Sequence, residues 1–361
     1  MTSPLKSEKN IPEARFTYHD LTDGLASILN EKVGQVLCSP IQGDASDRMY
    51  FRVSYQKSHE GNPGSAIIMQ LKEPHPGDST DFTRVQKYLE NLDLPVPEIY
   101  RYDKENGLLF LEDLGQTTLE DEVTNHPQQL RPVYRQAVEL LARLQQRATT
   151  KIGAGCPAHT LRFDVEKLMW ELDFMVQHYI EGLHSISLNE EQRNNLRDQF
   201  LSLCQTLEQQ EPVFAHRDYH SRNLMFTGQG LVMLDFQDAR MGPCQYDLAS
   251  LLQDSYIVLP AEFRSELLEQ FIALKEKQQG HPIDRPVFHH IFDCMALQRN
   301  LKAIGTFAFQ KTVKDNDRYL TYIPVTLDYV RQTLARQPEL SALSETLSQV
   351  LPGLSPDHPE P

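Results

Sequence analysis

The sequence predicts an α+β protein in two lobes, a small strand-rich front and a larger helical rear that carries a β-hairpin. Three observations predict it. Apolar runs of strand length, bounded by turn residues, dominate up to Leu111; helical periodicity takes over after Gly115; and one pair of apolar runs around Thr227-Gly228-Gln229-Gly230 interrupts the helices. A chain of 361 residues also exceeds one comfortable core. The front is therefore read as residues 1–115, the rear as residues 116–350, and the proline-rich end, residues 351–361, as a flexible tail.

Taken in order, the chain opens with a polar leader of roughly twenty residues, expected to lack fixed structure, and then a helix over residues 21–32. The small-residue loop Gln42-Gly43-Asp44-Ala45-Ser46-Asp47-Arg48 leads into a strand over 49–53. Such a loop can turn backbone N–H groups onto phosphates, or be an ordinary hairpin turn; no G-x-x-x-x-G-K-[ST] is present. Strands are expected over 65–71, 98–102 and 108–111, with a helix over 81–92 that Pro95-Val96-Pro97 ends. Behind Gly115, apolar faces at Ala137, Leu140, Leu141 and Leu144, at Val165, Leu168, Met169, Leu172, Val176 and Tyr179, and at Leu196, Phe200, Leu203 and Leu207 mark three helices. Asp164 is placed to cap the second, and Asn189 with Gln192 to box the third. Further helices follow over 246–252, over 261–277 with a stop at Gly280, and over 287–310.

Composition excludes several classes. No apolar run approaches the roughly 18–20 residues of a membrane span, and the start, Met1-Thr2-Ser3-Pro4-Leu5-Lys6, lacks a hydrophobic signal segment. Five scattered cysteines with no C-x-x-C pair argue against a disulfide framework or zinc site and for a reducing cytoplasm. A net charge of −15 disfavours general binding to nucleic acid or anionic membranes. A local basic pocket for a nucleotide remains compatible with it; the oligomeric state is not legible.

The chemistry concentrates in His216-Arg217-Asp218-Tyr219-His220-Ser221-Arg222-Asn223, followed after the hairpin by Asp235-Phe236-Gln237-Asp238. Folding the hairpin returns Asp235 to the neighbourhood of Asn223, with Asp218 one loop away. Phosphoryl transfer needs metal ions bridging the phosphates and a carboxylate oriented on the acceptor hydroxyl. Asn223 and Asp235 are oxygen ligands suited to Mg²⁺, and Asp218 suits the base. The H-R-D-x-x-x-x-N spacing followed by D-F is a kinase-type pattern, here with Gln237 in place of glycine.

With Gly43-Asp44-Ala45-Ser46-Asp47-Arg48-Met49-Tyr50-Phe51-Arg52, Leu111-Glu112-Asp113-Leu114-Gly115, Gly242-Pro243, Tyr246-Asp247-Leu248 and Leu297-Gln298-Arg299-Asn300-Leu301-Lys302, those strings give a resemblance over residues 43–329. The chain resembles the aminoglycoside/choline phosphotransferase superfamily, with its bilobal protein-kinase-like fold. Within it, it is most similar to the branch of sugar kinases that phosphorylate N-acetylmuramate and N-acetylglucosamine at the anomeric hydroxyl in bacterial cell-wall recycling. The resemblance implies an ATP- and Mg²⁺-dependent cytoplasmic kinase, GTP not being excluded, with residues 1–115 as the nucleotide-binding lobe and residues 116–350 as the catalytic and acceptor-binding lobe. It implies Asp218 as base, Asn223 and Asp235 as metal ligands, the backbone of Glu112 and Leu114 as the adenine contact, and Asp247 as a support holding the catalytic loop by its N–H groups. Another small acceptor (aminoglycoside, choline or amino-alcohol) and a nucleotide-binding pseudokinase with a regulatory role are the alternatives.

One departure stands out. Where most of the superfamily places a third-strand lysine and a paired glutamate, this chain has Gln70 and Val85. Arg48, Arg52 and Lys72 are the candidate replacements facing the phosphates, with Ser46 in the preceding loop; the alternative for each cation is a solvated surface charge. Lys72 shares a face with Gln70 if strand alternation continues. For the acceptor the candidates are His220, Arg222, Gln237, Asp238, Arg240 and Arg299, with Lys302 one turn beyond Arg299 in an otherwise apolar helix. Arginines suit an acceptor carboxylate; alternatively Arg222 and Arg240 pair with carboxylates such as Asp247.

Overall fold

The computed structural model describes residues 14–41, 48–57, 63–75 and 77–354. Residues 42–47, and with them Ser46 and most of the small-residue loop, lie outside the described residues, as do residues 1–13 and 355–361. Chain contacts divide into two compact units, one ending at Gln116 and the other beginning at Thr117.

In the first unit α1 (Tyr18–Leu29) starts at Thr17, whose hydroxyl accepts from the Asp20 N–H while the Asp20 carboxylate accepts from the Thr17 N–H. The leader is thus shorter than expected, since Phe16 is already buried and packs edge-on against Phe51. Strands β1 (Val33–Ile41), β2 (Met49–Lys57), β3 (Pro63–Gln70), β4 (Ile99–Asp103) and β5 (Leu108–Glu112) form one antiparallel sheet in the order β1-β2-β3-β5-β4. Helix α2 (Asp81–Glu90) follows β3 in sequence. Strand β1 was not expected: it contains Gly34 and Pro40 and buries only Val36, which an edge strand tolerates. Phe51 and Val53 of β2, Ala66 and Ile68 of β3, and Leu108 and Phe110 of β5 make the inner face, covered by Leu21 and Leu25 of α1.

The second unit is helical: α3 (Leu119–Asn125), α4 (Leu130–Thr150), α5 (Val165–Met175), α6 (Glu190–Glu208), α7 (Gln245–Leu252), α8 (Ala261–Gln279), α9 (Arg285–Thr312), α10 (Ile323–Arg336) and α11 (Ser341–Val350). Asp164 caps α5, and Asn189 and Gln192 box the start of α6. Past Met175 the helix widens into a π-type stretch, Val176–Leu183. Helix α9 is the axis of this unit, buried along most of its length and packed against α5, α7 and α10. The expected fraying fails at the start of the tail: Leu351 and Leu354 are buried, and the Tyr179 hydroxyl donates to the Pro352 carbonyl at 3.0 Å. Those two leucines supply the apolar anchor that the prolines around them disguise. No helix among the described residues is long and apolar enough to cross a membrane.

Two nested strand pairs position the site. β6 (Val213–Ala215) pairs antiparallel with β9 (Arg240–Gly242), and inside them β7 (Leu224–Thr227) pairs with β8 (Gly230–Met233). The segments left between the pairs, residues 216–223 and 234–239, are therefore held side by side at both ends. Gly230, at φ +119°, takes the left-handed backbone that closes the inner hairpin.

Helices α5 and α9 meet at Gly305. A Cβ there would lie 2.6 Å from the Cα of Met175 and 3.0 Å from its N, backbone atoms that cannot step aside. Gly305→Ala should separate the helices and cost about 1–3 kcal/mol, read as a lowered melting temperature; an unchanged temperature would show that the crossing is not tight.

Candidate active site

The loop between β6 and β7 is hung on two buried carboxylates. Asp247 of α7 accepts from the His216 N–H (2.7 Å) and the Arg217 N–H (2.9 Å). Asp254, just past α7, accepts from the Ser221 N–H (2.9 Å) and the Tyr256 N–H (2.8 Å). Held at both ends, the loop carries Arg217 at φ +84°, a left-handed conformation costly for a residue with a side chain. Tyr219, fully buried, anchors its middle by donating to the Ala137 carbonyl at 2.8 Å.

Asp218 leaves this loop with its side chain 26% exposed, and Lys302 of α9 donates to its Oδ1 at 3.3 Å. Asn223 Nδ2 donates to the Asp218 carbonyl at 3.0 Å, which leaves Asn223 Oδ1 without a partner among the described residues. The Leu234 N–H donates to the Asn223 carbonyl at 2.8 Å and closes the hairpin one residue before Asp235. Asp235 is itself left-handed, at φ +60°, and its Oδ1 accepts from Gln237 Nε2 at 2.7 Å. Gln237 is buried, and its own Oε1 has no hydrogen-bond partner among the described residues. A carboxylate, a carboxamide oxygen and a second carboxylate thus sit on adjoining segments of one loop pair.

A sequence profile of the phosphotransferase enzyme family matches residues 38–285. The chain belongs to that family. It is 31% identical over 317 residues, 87% of this chain and 88% of the relative, to an N-acetylmuramate/N-acetylglucosamine kinase of Pseudomonas aeruginosa. A kinase of the same name from Neisseria meningitidis is 29% identical over 85% of this chain and 89% of its own. Among solved structures, choline kinase from Cryptosporidium parvum superposes with a TM-score of 0.56 at 15% identity, covering 85% of this chain and 91% of that one. That likeness shows the shared protein-kinase-like fold.

The remaining candidates in this phosphotransferase fall into distinct places. Arg222 forks onto Glu120 of α3 (2.6 and 3.1 Å), takes the Tyr322 hydroxyl at 2.7 Å and lies 3.8 Å over the Tyr256 ring. The carboxylate that engages it is thus Glu120 and not Asp247, whose oxygens are spent on the loop. His220 packs edge-on against Tyr256, its Nε2 3.4 Å from Asn223 Nδ2. Arg240 reaches the Asp238 carbonyl at 3.4 Å, and Asp238 is exposed. Arg299 is only 7% exposed, with its Nε lacking a hydrogen-bond partner among the described residues.

In the other unit, Glu112 donates its N–H to the Glu98 carbonyl at 2.9 Å, while Leu114 makes no hydrogen bond to a described residue. Arg48 stands 6.0 Å over the Phe82 ring. Arg52 is committed to Asp113 (2.9 and 3.1 Å) and the Gly115 carbonyl (2.6 Å), which takes it out of the running for a phosphate. Gln70 is buried at the end of β3 and accepts from the Arg15 N–H at 2.7 Å; Val85 is core. Lys72 lies beyond the strand and is exposed, so the alternation invoked for it stops at Gln70.

Glu120, Asp254 and Lys302 complete the surroundings of the loop. Lys302 had a signal, a cation one turn from Arg299 in an apolar helix; Asp254 and Glu120 reach the loop through packing alone. Electrostatics ties the group together. Burial opposes ionisation of Asp218, but Lys302 and Arg217 outweigh it and hold its carboxyl well below the usual range. Burial pushes His220 down to about 3 and His216 to about 4, so both are neutral at pH 7. Burial raises Asp247 to about 7, against the two N–H bonds that favour its ionised form.

Asp247→Asn leaves one acceptor oxygen for two N–H donors and turns an amide donor on the loop. It should cost about 1.5–3 kcal/mol, as for a hydrogen bond to a charged group, and lower kcat together with melting temperature. Normal values of both would remove the clamp from the account.

Proposed function

We propose that this phosphotransferase moves the γ-phosphoryl group of ATP to the anomeric hydroxyl of N-acetylmuramate or N-acetylglucosamine in the cytoplasm. The observation that carries the acceptor is the likeness, over most of both chains, to kinases named for these two sugars. The local charge agrees. Lys302, Arg217, Arg240 and Lys167 gather about the catalytic loop, which disfavours the cationic acceptors of aminoglycoside or choline kinases.

In this reading Asp218 accepts the hydrogen bond of the acceptor hydroxyl and orients it for in-line attack. Its low pKa keeps it ionised, and little basicity is required, because the transition state is loose and an anomeric hydroxyl is more acidic than an ordinary alcohol. Asn223 Oδ1 and the Asp235 carboxylate are hard oxygen donors of the type Mg²⁺ takes one or two at a time. These two side chains would hold Mg²⁺, which would supply charge neutralisation for the phosphates. Gln237 fixes the rotation of Asp235, and Lys302 places positive charge where negative charge accumulates during transfer. The unit ending at Gln116 is assigned the nucleotide, through Ser46, Arg48, Lys72 and the backbone of Glu112 and Leu114; the unit beginning at Thr117 is assigned catalysis and the acceptor.

The test is ADP release over a panel of reducing sugars, aminoglycosides and choline, with loss of reducing-end reactivity marking phosphate at C1. Asp218→Asn should lower kcat by about 10²–10⁴-fold with nucleotide affinity near wild type. Turnover at the wild-type rate would refute the role of Asp218, and turnover of choline or an aminoglycoside alone would refute the sugar.

A further inference from the structure

Beside Asp218 lies a group of cations, of which only Arg217 also helps to hold Asp218 ionised. Glu171 of α5, almost fully buried, is approached by Lys167 Nζ at 3.6 Å and Arg217 Nη2 at 3.8 Å. Its Oε2 accepts from Gln298 at 3.1 Å and its Oε1 has no hydrogen bond among the described residues. Arg217 Nη1 stands 3.6 Å from Asp238, whose side chain is 55% exposed, and Arg217 Nε is buried with no hydrogen-bond partner among the described residues. Arg240 has no carboxylate within 4.0 Å among the described residues and rests over the Phe163 ring. Lys167 is steered by the Trp170 ring, 3.8 Å below its Nζ.

Three cations therefore face two carboxylates, and every ion pair is longer than the roughly 2.7–2.9 Å of a charge-assisted hydrogen bond. Burial, and then the charge of Arg217, lowers the pKa of Arg240; burial likewise lowers Lys167, with Arg217 and Arg240 adding to it against the pull of Glu171. Arg217 also feels Asp218, but that carboxylate is matched by Lys302, so the cluster keeps one cation in excess. It also flanks the proposed acceptor position, because Arg217 immediately precedes Asp218 and Arg240 pairs with Ala215 across β6 and β9. Of the other nearby cations, Arg222 pairs with Glu120 and Lys302 with Asp218, while Arg299 is buried within α9 and its Nε has no hydrogen-bond partner among the described residues.

We propose that Lys167, Arg217 and Arg240 form a subsite for a carboxylate on the acceptor, and so set the preference for N-acetylmuramate over N-acetylglucosamine. This rests on the sugar reading above. The two sugars differ by a lactyl ether whose only charge is a carboxylate, so the neutral sugar is an internal control. Inorganic phosphate offers similar chemistry from solution, and the test separates the two sources.

Steady-state ADP release is measured with both sugars for the wild type, Lys167→Gln, Arg240→Gln and Arg240→Lys, with thermal melts for each. The ratio of kcat/KM for N-acetylmuramate to that for N-acetylglucosamine should fall about tenfold or more in either glutamine variant, the loss of one charge-assisted contact. Arg240→Lys should keep more of it. Added phosphate should compete with N-acetylmuramate and spare N-acetylglucosamine on the wild-type protein, a readout that needs no variant to fold. An equal loss on both sugars overturns the subsite and leaves the sugar reading intact, as does phosphate that accelerates N-acetylglucosamine turnover and so occupies the cluster as a free anion. A wild type that phosphorylates neither sugar fails the sugar reading itself and takes the subsite with it.

Discussion

The structure of the active loop depends on buried carboxylates accepting backbone N–H groups. Asp247 takes the first two amides of the loop and Asp254 takes one near its end. Neither is exposed, so the amides have no water to turn to, and the loop has no cheaper arrangement. This clamp can hold Arg217 in a left-handed conformation and present Asp218 to solvent while Tyr219 points inward. The nested pairs β6–β9 and β7–β8 then bring residues 234–239 alongside, so that the carboxamide of Asn223 and the carboxylate of Asp235 arise from one folding event rather than from separate parts of the chain.

Charge works at two scales. The chain carries −15 overall, yet the surroundings of Asp218 are cationic, with Lys302 in contact and Arg217 adjacent. A net negative surface is compatible with an anionic substrate when a partly buried pocket excludes solvent and its local charges are screened less than those outside. The same arrangement keeps Asp218 ionised, in keeping with the role proposed for it of orienting a hydroxyl rather than storing a proton.

Much of the fold was legible because its signals are local. The caps at Asp164 and at Asn189 with Gln192 lie within three residues of the amides they serve, and the hairpin announces itself through the glycines between two apolar runs. Strand β1 was not legible, since Gly34, Pro40 and a single buried valine suppress the alternation that marks a half-buried strand. At the site, Asp218, Asn223 and Asp235 stand in a spacing that topology converts into proximity. Their supports do not: Glu120 lies 102 residues from Arg222, Asp254 33 from Ser221 and Lys302 84 from Asp218. Such pairings are made by helix packing, which periodicity alone does not resolve. Arg52 and Lys72 show the same limit, one claimed by Asp113 and the other placed past the end of its strand.

The central claim, that two carboxylates suspend the loop of residues 216–223, is tested most directly by native-state hydrogen exchange at the amides of His216, Arg217 and Ser221. The account predicts that these three, although they lie in a loop, exchange as slowly as amides in the middle of α7 and α9, because releasing them requires opening the packing around Asp247 and Asp254. Exchange at the rate of exposed turns such as residues 228–229 would contradict it, and the geometry of Asp218 would need another cause.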